Sequence, residues 1–116
     1  MGVDYSNLGQ HNQAKECEEK VLEISKKIYG EEHPEVANSY HILAYDYREL
    51  EQHNEAKECD EKALVLRKTI YGEKHPEVAT SYHSLVFDYL KLGHFIQAKE
   101  CEEKALSIRK HIYAGE

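Results

Sequence analysis

Large apolar residues fall at Val36, Tyr40, Leu43, Tyr47 and Leu50, and again at Val78, Tyr82, Leu85, Tyr89 and Leu92. Their spacing of four, three, four and three draws one stripe along an amphipathic helix. It predicts helices from Pro34 to about Leu50 and from Pro76 to about Leu92. Proline suits a first helical turn, where its missing N–H has no partner to lose. His33 and His75 are then expected at or beside the N-cap, with Glu35 and Glu77 at the favourable positive end of the helix dipole. A second kind of helix follows each of these. It carries Ala56, Cys59, Ala63, Leu66 and Ile70, or Ala98, Cys101, Ala105, Ile108 and Ile112, and the same pattern opens the chain as Ala14, Cys17, Val21, Ile24 and Ile28. Small residues early in it let a neighbouring backbone approach closely. Glu16–Lys20, Glu58–Lys62 and Glu100–Lys104 are set four apart in the better order for helix support. Gly30 and Gly72 are expected as left-handed C-caps; Ala114 at the corresponding place predicts a frayed end.

These patterns are copies. Aligning 29–70 with 71–112 gives 26 identities in 42 positions, and Ala14-Lys15-Glu16-Cys17 returns at Ala56 and at Ala98. A period of this length marks a stacked array of helical hairpins. The first helix of each unit is called A here and the second B. Residues 1–8 align with 43–50, so Tyr5, Tyr47 and Tyr89 are equivalent, and the chain is expected to open near the end of an A helix. The predicted organisation is one array: 1–28 a partial first repeat, mainly helix B; 29–70 a second; 71–112 a third; 113–116 the start of a truncated one. Repeat stacks need polar end caps, and neither end reads as one. A segment of a longer array, or a chain that buries its ends by association, is expected.

The block Tyr40-x-x-Leu43-Ala44-x-x-Tyr47, then Ala56, Ala63-Leu64 and the connector Ile70-Tyr71-Gly72-Glu73-x-His75-Pro76, resembles the tetratricopeptide (TPR) family in its 42-residue form. It is similar to the repeats of kinesin light chains and of nephrocystin-type proteins. The second copy, Tyr82-x-x-Leu85-Val86-x-x-Tyr89 with Gly93, Ala98 and Ala105-Leu106, carries the same likeness over nearly the whole chain. The resemblance implies an all-α fold, stacked antiparallel helical hairpins in a right-handed superhelix, with five helices and a stub. The chain departs from the pattern in two places. The glycine usual between helices A and B stands at Gly9 and Gly93 but is Glu51 in the middle unit. The usual aromatic midway along helix B is replaced by Glu18, Asp60 and Glu102, each preceded by Cys. The expectation is that Cys takes the buried position and the carboxylate faces water.

The resemblance further implies that the A helices line a concave groove holding a peptide or partner helix. The matching positions are Asn38, His41, Tyr45 and Arg48, with Thr80, His83, Phe87 and Leu90 one period on. They share one helix face, distinct from the core stripe. Tyr45 and Phe87 offer the rigid aromatic surface that dominates binding hot spots. Chaperone-binding relatives grip a C-terminal carboxylate with Lys and Asn at these positions, where His and aromatics stand instead. A mixed apolar–polar ligand is expected. The reading from another class is structural, with uncapped ends stacking copies into homo-oligomers.

Composition narrows the function classes. With 22 Asp+Glu against 15 Lys+Arg the formal net charge is −7, which argues against a nucleic-acid or anionic-membrane partner. No stretch approaches the roughly 20 apolar residues of a membrane span, and the N-terminus lacks a signal-peptide pattern, so a cytoplasmic, reducing location is expected. Three Cys are then expected as thiols in the core. Eight His invite a metal reading. Equivalent His in stacked repeats stand about 10 Å apart, whereas Zn–N bonds are about 2.0–2.1 Å, so structural or capping roles are expected and no metal or other cofactor. Catalysis finds no Gly-rich phosphate loop and no nucleophile elbow; Tyr82-His83-Ser84 lacks an orienting third group. The expected function is a protein-interaction scaffold, not an enzyme.

Overall fold

Two histidines start two helices. In the computed structural model, which describes the backbone of residues 5–114 and the side chains of 9–113, His33 Nδ1 accepts a hydrogen bond from the Glu35 N–H at 3.1 Å, and His75 Nδ1 does the same for Glu77 at 3.1 Å. Each satisfies an amide the helix itself leaves unpaired, so imidazole serves as the N-cap. The connector's tyrosine holds that cap in place: Tyr29 stacks on His33 and Tyr71 on His75, both with ring centroids 4.1 Å apart. The connector Tyr-Gly-Glu-x-His-Pro thereby acts as one unit. Its glycines, Gly30 and Gly72, turn the chain at φ 87° and 88°.

Five helices form among the described residues: α1 (Tyr5–Tyr29), α2 (Pro34–Glu49), α3 (His53–Tyr71), α4 (Pro76–Lys91) and α5 (Phe95–Ala114). Helices α2 and α4 are of type A; α1, α3 and α5 carry the B pattern. The main packing runs between consecutive helices, as in a stacked array. Val78, Tyr82 and Leu85 of α4 close on Cys101, Ala105 and Ile108 of α5, while Val36 and Tyr40 of α2 close on Ala63 of α3 and Leu22 of α1. Buried alanines at 44, 56, 63, 98 and 105 bring the backbones together. Lys62 and Lys104, expected to pair with Glu58 and Glu100, instead lie over the rings of Tyr40 and Tyr82 at 5.5 and 6.0 Å. Lys26 and Lys68 cover the same rings at 5.4 and 6.0 Å.

Three expectations need correction. Gly9 does not turn the chain: α1 runs through it unbroken, whereas Glu51 and Gly93 at the equivalent positions have φ 60° and 78°. Those two turns close with 2.8 Å hydrogen bonds back to the A helix, Gln52 N–H to the Tyr47 carbonyl and His94 N–H to that of Tyr89. Second, the buried seam of α3 is Ala56, Asp60, Ala63 and Arg67, with Cys59 only half-buried. The carboxylate at position 60 is fully buried, opposite to expectation, because α3 is flanked by α2 on one side and α4 on the other, and each supplies a partner for its charged groups. Third, the cysteines do not share one environment: Cys17 is exposed and Cys101 buried. Burial holds the Cys59 thiol up at about 12 and the Cys101 thiol at about 11. The expectations placed on residues 1–4 and 115–116, and on the side chains of Tyr5 to Leu8 and of Ala114, lie outside the described residues.

Glu51 is the one positive-φ position among the described residues without glycine. A side chain there costs roughly 1–2 kcal/mol of local strain, partly offset by the greater unfolded-state freedom of glycine. Glu51→Gly should therefore raise stability by about 0.5–1 kcal/mol, read as a higher urea midpoint.

Candidate functional site

The A-helix face carries the eight predicted residues in two different conditions. Tyr45, Phe87 and Leu90 stand about half exposed, at 50%, 47% and 46%. Asn38 and Thr80 are exposed; His41 and His83 are partly so. The ring of His83 meets that of Phe87 edge-on at 5.3 Å, and His11 of α1 meets Tyr45 at 6.1 Å. Each aromatic is thus steadied by an imidazole edge yet keeps an open face. Thr80 spends its hydroxyl on the Pro76 carbonyl at 3.1 Å.

Arg48 does not stand free. Its Nη2–H donates to Asp60 Oδ2 at 2.9 Å and its Nε–H to Asp88 Oδ1 at 3.1 Å. Both carboxylates are 0% exposed, so one guanidinium ties α2, α3 and α4 together. Arg67, also buried, donates to Ser81 Oγ at 2.9 Å and to Asn38 Oδ1 at 3.1 Å. It lies 3.8 Å from Glu77 Oε1. Asn38 therefore belongs to this network as an acceptor. Tyr47 and Tyr89 extend the ties between repeats, their hydroxyls donating to Glu19 at 3.2 Å and Glu61 at 2.9 Å.

Two buried carboxylates share the Arg48 guanidinium. Burial, a hydrogen bond with Asp88 and the charge of Asp88 push Asp60 far above the ordinary carboxylate range, with Arg48 pulling the other way. The folded chain then holds a proton that the unfolded chain releases above about pH 4. The sign follows. This contribution to stability is complete below pH 4 and fades as pH rises toward the raised folded value. His41 runs in the opposite sense, because burial, Arg67 and Arg48 push it below 6.5. Its effect is over by about pH 7. Between pH 7 and 8.5 the protein should lose about 1–2 kcal/mol of stability, and Asp60→Asn should flatten that slope in paired urea titrations.

The network escaped the sequence reading, although it left a mark there. Asp46 and Asp88 recur within the A helices, and Arg67 and Arg109 within the B helices, all one period apart. Asp88 and Arg67 of the network are thus repeat positions, whereas its bridging cation, Arg48, is Leu90 one period on and gives no repeat signal. A cavity of about 550 Å³ lies away from the predicted face, lined by Lys26, Tyr40, Lys62 and Leu66 of the α1–α3 side. A smaller one of about 390 Å³ sits at the end of the A-helix face, against Arg48, Glu49, Glu51, His53 and Lys91. Among the described residues no group of three His, Cys, Asp or Glu is placed to hold a metal ion.

Comparison with known proteins agrees with this architecture. A family model described as tetratricopeptide repeat matches residues 1–69 and 35–111. Among solved structures, the chain is similar to a Podosopora anserina protein described as a kinesin light chain with nearly identical TPR-like repeats. Identity is 31% and the TM-score 0.80, over 90% of this chain and 50% of that one. It is likewise similar to BtubC (BKLC) from P. vanneervenii, at 29% identity and TM-score 0.84, over 92% of this chain and 42% of that one. This chain spans half or less of the length of each. No curated protein sequence matches it.

Proposed function

Because the chain belongs to the tetratricopeptide repeat family, whose fold generally mediates protein–protein interaction, we propose that it binds a peptide or partner helix across the exposed faces of α2 and α4. One observation carries this reading. Tyr45 and Phe87, one period apart, present half-exposed rings on neighbouring A helices whose backs are fixed by the Arg48–Asp60–Asp88 network. A rigid scaffold with exposed aromatic anchors loses little entropy on binding. Asn38, His41, Thr80, His83 and Leu90 surround the anchors, and Arg48 acts as a brace beneath them. Repeat scaffolds of this kind are typically non-enzymatic. No helix among the described residues is long and apolar enough to cross a membrane. The test is selection from a displayed random peptide library against the folded chain. Enrichment of a shared apolar–polar motif is expected; a library that yields no binder contradicts the reading.

A second observation favours self-association. The B stripe of α1 is uncovered by any described element: Val21, Ile24 and Ile28 are 45%, 55% and 66% exposed, whereas their equivalents in α3, Ala63, Leu66 and Ile70, are buried or half-buried. Sedimentation equilibrium over a wide concentration range separates the two. A concentration-dependent mass supports stacking of copies; a constant monomer mass removes it.

A further inference from the structure

The array supplies its own comparison, because the α1–α2 junction and the α3–α4 junction are built from equivalent positions. At the second, Asp60 and Asp88 are held by Arg48, and Arg67 lies alongside. Counting back one period, the acids persist as Glu18 and Asp46, but both arginines are replaced by serines, Ser6 and Ser25. The first junction thus keeps two carboxylates and loses both guanidiniums. Asp46 shows the consequence. It is 4% exposed; its Oδ2 has no hydrogen-bond partner, as is also true of Asp88 Oδ2, but Asp88 Oδ1 holds the Arg48 Nε–H at 3.1 Å and Asp46 Oδ1 has no such donor. His11 Nδ1 approaches Oδ1 only to 3.9 Å, beyond hydrogen-bond length, and His11 Nε2 lies 3.8 Å from Glu49. Burial raises both Glu18 and Asp46 above the ordinary carboxylate range, with Ser39 pulling Glu18 the other way.

We infer that this junction receives a guanidinium from the partner: an arginine side chain of the bound peptide displaces the His11 ring and bonds Asp46 as Arg48 bonds Asp88. The site has the parts for it. Asp46 lies beneath, Glu49 stands beside it with its side chain 43% exposed, and the half-exposed Tyr45 ring offers a stacking face for the planar cation. A lysine would present a point charge without the fork that spans two carboxylates. The inference rests on α2 being a binding face, and it names the chemistry of what binds there: a basic side chain next to an apolar one.

The probe is N-acetyl-arginine amide, with N-acetyl-citrulline amide as its uncharged isostere, each titrated to about 20 mM while backbone amide shifts are recorded. The arginine probe should shift His11, Glu18 and Tyr45 to Glu49, and the citrulline probe should leave them in place. Asp46→Asn should weaken the arginine probe about tenfold or more. Glu49→Gln, at an exposed position safe for folding, should weaken it in part, and Glu16→Gln should not change it. Equal response to citrulline, shifts scattered over other surface acids, no shift at all, or binding indifferent to both Asp46→Asn and Glu49→Gln would each overturn the inference. None of those results touches the anchoring roles of Tyr45 and Phe87, which are tested separately.

Discussion

Arg48→Met should cost the fold about 3–5 kcal/mol, a large part of the roughly 5–15 kcal/mol that holds a domain of this size together. Methionine replaces most of the aliphatic stem, so the loss is not one of packing. It arises because Asp60 and Asp88, both 0% exposed, lose the guanidinium that bonds them both, leaving on α2 only the His41 imidazole, 3.8 Å from Asp60. Removing one member of a buried charge network strands the others, and a stranded buried carboxylate must either stay charged in a poor dielectric or take up a proton. The double variant Arg48→Met with Asp60→Asn should recover a substantial part of the loss, since an amide at position 60 cannot ionise and can donate a hydrogen bond to Asp88. Urea titration of the three proteins measures both effects. A loss below about 1 kcal/mol for the single variant would show that Arg48 behaves as an exposed surface pair does.

Tyr45→Ala combined with Phe87→Ala should weaken a selected peptide ligand by at least about 30-fold while leaving the urea midpoint close to that of the parent. Both rings are about half exposed, neither belongs to the buried core clusters, and each meets one neighbouring ring, that of His11 or His83, edge-on. Truncation therefore removes little core area, and changes at such surface positions rarely move stability by more than about 0.5 kcal/mol. Binding is another matter, because aromatic anchors at the centre of an interface are commonly worth about 2 kcal/mol or more each. The separation of the two readouts makes the experiment decisive. A ligand that binds the double variant normally would place the interface elsewhere, and the α1 stripe of Val21, Ile24 and Ile28 would be the next surface to examine.

Much of this architecture is legible in one sequence because a repeat states it several times. The A-helix stripe from Val36 to Leu50 returns from Val78 to Leu92, and α2 and α4 bury its first three positions as read. The histidine caps are equally readable, since His-Pro before an apolar stripe leaves little else for the imidazole to do. The B helices misled for a physical reason. An apolar stripe marks the buried face when a helix packs on one side, yet α3 packs on two, and its innermost line holds Asp60 and Arg67. Hydrophobicity cannot announce a buried charge; only the partner can, and Arg48 lies twelve residues away. Arg48 itself read as a groove residue because it shares the face of Tyr45, while its guanidinium bends into the junction. Gly9 misled in the other direction. Its equivalents Glu51 and Gly93 turn the chain, whereas α1 runs from Tyr5 through Gly9 to Tyr29.

The central claim is that the exposed face shared by α2 and α4 is where a partner binds. Amide chemical-shift mapping with a library-selected peptide tests it most directly. The account predicts that the largest shifts cluster at His41, Tyr45, His83, Phe87 and Leu90, with α3 residues such as Glu58, Val65 and Lys62 on the opposite side unmoved. Shifts concentrated on that opposite side, around the cavity lined by Lys26, Tyr40 and Lys62, would contradict it.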